Sequence, residues 1–469
     1  MSSHRRPLLA IALLALLLAA ATVAFVETEP PSAEDALARE IFEELIEINT
    51  TDSVGDNTRA AEAMARRLRD AGFPEEDVRV LEPHPRKGNL VARLRGSGKR
   101  EPLLLLAHID VVEALPSDWS FDPFTFLEQD GYFYGRGTSD DKAMAAIWIA
   151  SLIRMKRESY LPDRDLIVAL TADEEGGSHN GVQWLLANHR DLIDAAYCLN
   201  EGGGGQMKDG KKLSNSVQLS EKLFQSFSLE STNPGGHSSR PRKDNAIYQL
   251  SSALVKISQH EFPVELDEIT SAYFEKMSAI ENGETSRDML DVARRSDPGA
   301  AARLSASPYY NAVLRTTCVA TRLEGGHAEN ALPQTARATV NCRIFPGSDP
   351  KDVQRTLESV VGDEGVRLSP VLPASPSLPS PLLPEVMGPI ERITGEMWPG
   401  VPVVPTMSTG ATDGLYLRNA GIPTYGVSGI FGDVDDARAH GKDERLLVSS
   451  FYEGREFLHR LVVALSSSN

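Results

Sequence analysis

Between about residue 35 and residue 210 the chain alternates helical apolar spacing with short continuous apolar runs. In "EDALAREIFEELIEI", Leu37, Ile41, Leu45 and Ile48 recur on one side, which predicts a helix. "NTRAAEAMARRLRDAG" predicts a second, closed by a glycine. "NLVARLRG", "PLLLLAHID", "DLIVALTADEE" and "AAYCLNEGG" are apolar runs of strand length that end in polar residues. After "GRGTSDDKA", Met144, Ile147, Trp148, Leu152 and Met155 repeat at helical spacing, a stripe that serves a core rather than a cofactor. Strands alternating with helices define an α/β fold.

Around residue 220 the pattern changes. "FQSFSLEST" alternates as a half-buried strand does, and "DNAIYQLSSALVKISQH" predicts a helix. The stretch from about 262 to 312 is polar and mostly helical in spacing. Two alternating strands flank "GGHAENALPQTA", followed by the helix "DPKDVQRTLESVVG" and the strand "VRLSPVL". Strand, helix, two strands, helix, strand is the ferredoxin-like order of an α+β unit. Residues 222–373 therefore read as a second domain inserted into a first made of 35–221 and 374–469. Proline-rich "PASPSLPSPLLPEV" is the linker back, and the tail supplies a helix, the strand "PTYGVSG" and a last helix.

The length, 469 residues, suits two cores better than one. Residues 1–30 stand apart: basic "MSSHRR" precedes apolar "LLAIALLALLLAAATVAFV" and polar "ETEPPSAED". This is a signal peptide or a retained N-terminal membrane anchor, and either places the remainder in an exported, periplasmic or extracellular setting. Net charge is −18, from 66 acidic against 48 basic residues, the wrong sign for nucleic acid or an anionic membrane surface. Only Cys198, Cys318 and Cys342 are present, so no disulfide scaffold is expected. Cys318 and Cys342 fall in strands that could pair, but cross-strand geometry is demanding and all three are expected as small core residues.

The polar strand ends carry the chemistry. Ligands of open α/β sheets bind beyond the carboxyl ends of the strands. There stand His108 and Asp110, Glu174 and Glu175, and Glu201, with Asp140 and Asp141 in a loop before a helix and His440 far downstream. Singly, each reads as a satisfied histidine or a solvated acidic turn. "EGGGG" reads as a flexible turn or a phosphate cradle without the Walker lysine. Jointly, imidazole and carboxylate without thiolate suit zinc, with cobalt or manganese as substitutes. His-x-Asp adds a carboxylate, Asp110, to orient the other ring nitrogen of His108.

In order along the chain, "AHID", "GRGTSDDKA", "ADEEGG", "NEGGGG", "NPGGHSSRP", "ENALP" and "AHGKDE" resemble the co-catalytic zinc metallopeptidases. That family includes carboxypeptidase G, succinyl-diaminopimelate desuccinylase, carnosinase and aminoacylase-1. "NEGG" and the long segment before "ENALP" look most like the carboxypeptidase S branch, which also contains N-fatty-acyl amino acid hydrolases. The resemblance implies a zinc-peptidase-like mixed sheet with helices on both faces, the inserted unit acting as a lid and dimerisation domain. It implies two zinc ions bridged by Asp140, with His108 and Glu201 on one and Glu175 and His440 on the other. A cis peptide is implied between Asp140 and Asp141. Glu174 would be the general base and His237, in "GGHSS", the donor to the developing oxyanion. In dimeric members that histidine comes from the partner subunit, which implies a homodimer.

For the substrate carboxylate the family uses an arginine in Asp-x-Arg and an asparagine in Asn-x-x-Pro. Here Asn330 and Pro333 fit, whereas Arg343 follows "NC", with Asn341 where aspartate is usual. Thr412 and Gly426 match loops lining the same pocket, and His327 is read as structural. The expected activity is hydrolysis of an amide next to an amino acid with a free carboxylate, on small peptides or on N-acyl amino acids. A metal-free binding module on the same fold is the rival, and it should have lost a ligand or Glu174.

Overall fold

The computed structural model describes residues 32–373 and 375–467. The leader assigned to residues 1–30 lies outside them, and no helix among the described residues is long and apolar enough to cross a membrane.

Ten strands form one mixed sheet. Its centre is parallel: Leu103–His108 lies between Leu166–Thr171 and Tyr197–Asn200, and Thr424–Gly426 extends the parallel set. Asn89–Leu94 and Val78–Leu81 close one side antiparallel. The central strands are buried on both faces, so their sequences run apolar without alternation. Leu103, Leu105 and Ala107 point into the larger core, with Phe42, Trp148 and Phe451. Leu104 and Leu106 point the other way, against Val182, Leu185 and Leu417. The stripe Met144, Ile147, Trp148, Leu152 and Met155 is wholly buried in the larger core.

One long strand escapes the apolar pattern. Lys211–Glu221 is buried from Ser214 onward although most of those residues are polar. It pairs with Gly205–Lys208 and, in parallel, with Val403–Ser408. Its side chains find partners: Asn215 donates to Thr394 Oγ1 (3.0 Å) and Ser216 to the Gly204 carbonyl (2.9 Å).

The chain then crosses at Lys222 into a separate four-stranded antiparallel sheet, in the order Thr317–Gly325, Thr335–Ile344, Leu223–Thr232, Val366–Pro370. Helices Ala246–Gln259 and Pro350–Val361 cover it around Phe227, Leu250, Val340 and Leu357. The polar stretch after residue 262 becomes four helices, Glu268–Met277, Gly283–Arg295, Pro298–Leu304 and Pro308–Leu314. They pack on Val404 and Met407 of the large sheet rather than on the small one.

Cys318 and Cys342 correct the expectation of three unbridged core cysteines. They are direct partners in the register, with Cα atoms 4.1 Å apart, and form a disulfide. The register decides the matter, and it cannot be read from spacing alone. Cys198 is free and buried.

Candidate functional site

Four strand ends and two loops meet at the carboxyl edge of the parallel strands. His108 ends its strand, and its Nε2 lies 2.8 Å from Asp140 Oδ1. His440 Nε2 lies 3.2 Å from Asp140 Oδ2 and 2.9 Å from Glu175 Oε1. Two sets of ligand atoms result, His108–Asp140–Glu201 and Asp140–Glu175–His440, each with its atoms within 4.8 Å of one another. Asp140 belongs to both. The Asp140–Asp141 peptide is cis. His440 has φ +62°, a left-handed backbone that a non-glycine residue adopts at a cost and that functional loops often hold.

Glu174 and Glu175 follow the strand Leu166–Thr171 on a turn that holds both recessed in the crevice. Asp173 opens that turn at φ +59°. Gly177, at φ +99°, could not carry a side chain, because a Cβ would lie 2.4 Å from Asp173 Oδ2. Asp110 holds the turn from below: its carboxylate accepts the amides of Glu174 (3.2 Å) and Glu175 (3.0 Å). This corrects the expected role of Asp110. His108 Nδ1 donates to the Asp110 backbone carbonyl at 3.1 Å, while the carboxylate stands 3.6 Å away. The tautomer is still set, since an Nδ1–H leaves Nε2 free to accept or ligate.

The field in this crevice is strongly negative. Burial, then the charges of Asp413, Asp110 and Glu175, outweigh His108 and push Glu174 up to about 9. Burial and Asp140 raise Glu175 to about 7, and burial with Asp140 and Glu174 lifts Glu201 well above the carboxylate range. His440 is raised to about 9, first by its hydrogen bond to Asp140. Burial opposes charge on His108, but Asp110 and Asp140 hold its pKa well above the usual value. Carboxylates crowded this closely repel one another unless cations sit among them. The donor set, two imidazoles and three carboxylates with no thiol, fits hard or borderline divalent metals.

The remaining expected residues divide. Thr412 joins the crevice: its hydroxyl donates to Glu221 Oε2 (2.8 Å), and its neighbour Asp413 accepts from Thr171 and Asn180. Gly426 abuts Glu201, whose carbonyl oxygen a Cβ there would meet at 2.2 Å, so only glycine lets the two strands close. Arg343 stands on the small sheet beside the crossing, its guanidinium 4.7 Å from the Phe224 ring centroid and its buried Nη1 without a hydrogen-bond partner. His237 and Asn330 lie together but apart from the ligands. Gly236–His237 pairs with Ala331–Leu332, and Ser238 donates to the Asn330 carbonyl at 3.0 Å. His237 is exposed, its Nδ1 accepting from the Ser239 amide at 3.1 Å.

Three supporting residues escaped the sequence reading. Glu444, fully buried, accepts from the amides of Gly137 (3.1 Å), Ser139 (2.7 Å) and Asp140 (3.3 Å) and from Arg136 (2.6 Å). It ties the Asp140 loop to the loop of His440. Buried Lys87 bridges Asp173 and Asp52 beneath the glutamate turn. Glu221, fully buried, binds Thr412 and Arg418. The only signal for Glu444 was its place at the end of "AHGKDE".

A doubly covered parallel sheet, with two ligand triads sharing one aspartate at its carboxyl edge, defines a hydrolytic enzyme of the metallopeptidase type. The chain belongs to Peptidase family M20/M25/M40, whose sequence profile matches residues 104–464. The N-fatty-acyl-amino acid synthase/hydrolase PM20D1 of Homo sapiens is 30% identical over 371 residues, 77% of this chain and 74% of that one. The M20 family metallo-carboxypeptidase Sso-CP2 from Sulfolobus solfataricus superposes with TM-score 0.68 at 17% identity, covering 91% of this chain and 99% of that one. The YXEP protein of Bacillus subtilis, described as a dinuclear metal binding peptidase from the M20 family, superposes with TM-score 0.59 at 13% identity, covering 92% and 98%.

Proposed function

We propose that the chain is a di-zinc hydrolase that cleaves an amide bond next to an amino acid with a free carboxylate. The observation that carries this is the pair of triads sharing Asp140, with Glu174 one residue from Glu175 and recessed in the same crevice. His108 and Glu201 would hold one ion and Glu175 and His440 the other, with Asp140 between. Two such cations supply polarisation of the scissile carbonyl and a lowered pKa for water. Glu174 takes the water proton on its carboxylate and returns it to the leaving amine nitrogen. His237 is the donor to the developing oxyanion. Arg343, Asn330, Thr412 and the backbone at Gly426 hold the substrate carboxylate, the unpartnered Arg343 Nη1 being ready for an acceptor.

Peptides and N-acyl amino acids both present this bond. The 30% identity to an N-fatty-acyl-amino acid synthase/hydrolase favours the second class, and the likeness to a metallo-carboxypeptidase keeps the first. Metal analysis with an amine-release assay on dipeptides and acyl amino acids tests the proposal. About two zinc ions per chain and turnover of either class are expected; well under one ion, with no rescue by zinc or cobalt, would revive the binding-module reading.

Export follows from the leader-like residues 1–30 and is supported by the Cys318–Cys342 bridge, since disulfides persist in oxidising compartments. Mass spectrometry of the mature N-terminus separates cleavage from anchoring. A homodimer through the inserted domain is supported by the edge strand Thr317–Gly325, which leaves Val319 and Leu323 exposed. Sedimentation tests it.

A further inference from the structure

A cavity of about 630 Å³ opens directly beside the ligand cluster, with Asp140 and Glu201 in its wall. Its size falls in the usual range for a small-molecule pocket. Beyond those two residues its lining turns apolar: Met144, Phe431 and Leu446 are buried, and Met207, Ile430 and Val434 lead outward. It runs between the helix Lys142–Arg157 and the edge pair Gly205–Lys208 and Phe431–Asp433. Among the described residues none from the inserted segment lines it, nor do Thr412 or Gly426.

The charges at its rim say which end of a substrate it can take. Arg438 and Arg445 both bind Asp436, at 2.7 Å and 2.5 Å, and Arg445 also lies over the Tyr132 ring at 4.0 Å. Neither cation is left for a substrate carboxylate, and Asp433 adds a further negative charge to the wall. Arg343, by contrast, stands at the crossing between the sheets with a buried Nη1 unpartnered. A substrate whose carboxylate turns toward Arg343 and whose scissile carbonyl lies at the ligand cluster must send its other substituent elsewhere. The cavity is continuous with that cluster, uncharged along its length and closed to anions.

We infer that this cavity seats the acyl substituent on the carbonyl side of the scissile amide, and that the substituent is an uncharged apolar chain. The inference rests on the amide-hydrolase reading above and makes Met207, Ile430, Val434 and Gly432 determinants of chain-length preference. Gly432 lines the cavity, has a backbone conformation open to any residue, and a Cβ built there meets no atom within 4 Å. Bulk can therefore be added at that point without a clash.

The test compares N-acyl derivatives of one amino acid, from acetyl to palmitoyl, and a dipeptide series, in wild type, Gly432→Trp and Met207→Glu. In wild type, kcat/KM should climb by up to about four-fold per added methylene until the cavity is filled, then level off. Both variants should flatten that climb. Met207→Glu, which adds charge rather than bulk, keeps the test intact if Gly432→Trp folds poorly by thermal melting. A climb that survives both changes places the chain elsewhere and overturns the inference while leaving the hydrolase reading standing. Turnover of dipeptides alone, with every acyl amino acid inert, overturns the inference in wild type before any variant is made. No turnover of either series by metal-loaded enzyme defeats the reading beneath it.

Discussion

The ligand crevice and the ribbon that carries His237 and Asn330 are built on different principles. In the crevice every functional side chain ends a buried strand or sits on a loop pinned from behind. Asp110 holds the glutamate turn by two amides, and Glu444 holds the Asp140 loop by three. The ribbon is two short strands paired with each other, with His237 exposed and bonded only within its own loop. One half of the chemistry is preassembled inside the chain; the other must be brought to it by domain closure or by a partner subunit. The lesson is that rigidity is concentrated where charge is dense. Carboxylates that repel one another need a frame to hold them, whereas a hydrogen-bond donor gains from arriving with the substrate.

The largest effect should separate the two adjacent glutamates. Glu174→Gln keeps size and hydrogen bonding but removes the base, so kcat should fall by roughly four orders of magnitude, the upper range for general-base loss, with metal content intact. Glu175→Gln should fail differently, by losing about half the bound metal. Steady-state rates beside metal analysis decide it. A Glu174→Gln enzyme that stays active would remove Glu174 from the base role.

Next in size, His237→Ala should cost about 10²–10³ in kcat with little change in metal content, as loss of an oxyanion donor does. The source of the histidine can be read by mixing two inactive proteins. If His237 acts across a dimer, reassorted Glu174→Gln and His237→Ala chains regain about a quarter of wild-type activity, because one site per mixed dimer is whole. If it acts within its own chain, the mixture stays dead. Recovery would show that the crevice is completed from outside; silence would make closure within one chain the remaining route.

A smaller loss tests the frame. Glu444→Gln leaves the side-chain shape but replaces a carboxylate that gathers three amides and Arg136. Metal affinity should weaken by about 10–100-fold, the usual cost of losing a group behind a ligand. Zinc competition with a chelator measures it. An unchanged affinity would mean that the Asp140 loop is rigid without Glu444.

The sequence was legible where chemistry and pattern coincide. Apolar runs ending in His108, Glu174 and Glu201 announced both the parallel strands and the edge that holds the cluster. It was less legible where pairing supplies the reason. Lys211–Glu221 reads as polar, yet it is a buried strand because neighbours satisfy Asn215 and Ser216. Glu444 lies about 300 residues from the loop it anchors, and nothing local marks a carboxylate that binds backbone amides. For Asp110 the reading found the right residue and the wrong atom: its carbonyl orients His108, and its carboxylate serves the next turn.

The smallest effect on catalysis should come from the disulfide, and it probes the comparison from the other side. Cys318 and Cys342 tie the strands Thr317–Gly325 and Thr335–Ile344, whose connecting loop bears Asn330 and the strand that pairs with His237. The bridge spans a sequence separation of 24 residues, for which cross-linking contributes about 3 kcal/mol of stability. It lies on the small sheet, while all five metal ligands lie on the large one. Cys318→Ala/Cys342→Ala should therefore unfold at lower denaturant, show a separate early transition for the inserted domain, and keep its metals. Calorimetry with metal analysis across the transition is the measurement. If metal is released in the early transition, the crevice depends on the small domain for its own integrity, and the division between a preassembled half and a delivered half fails.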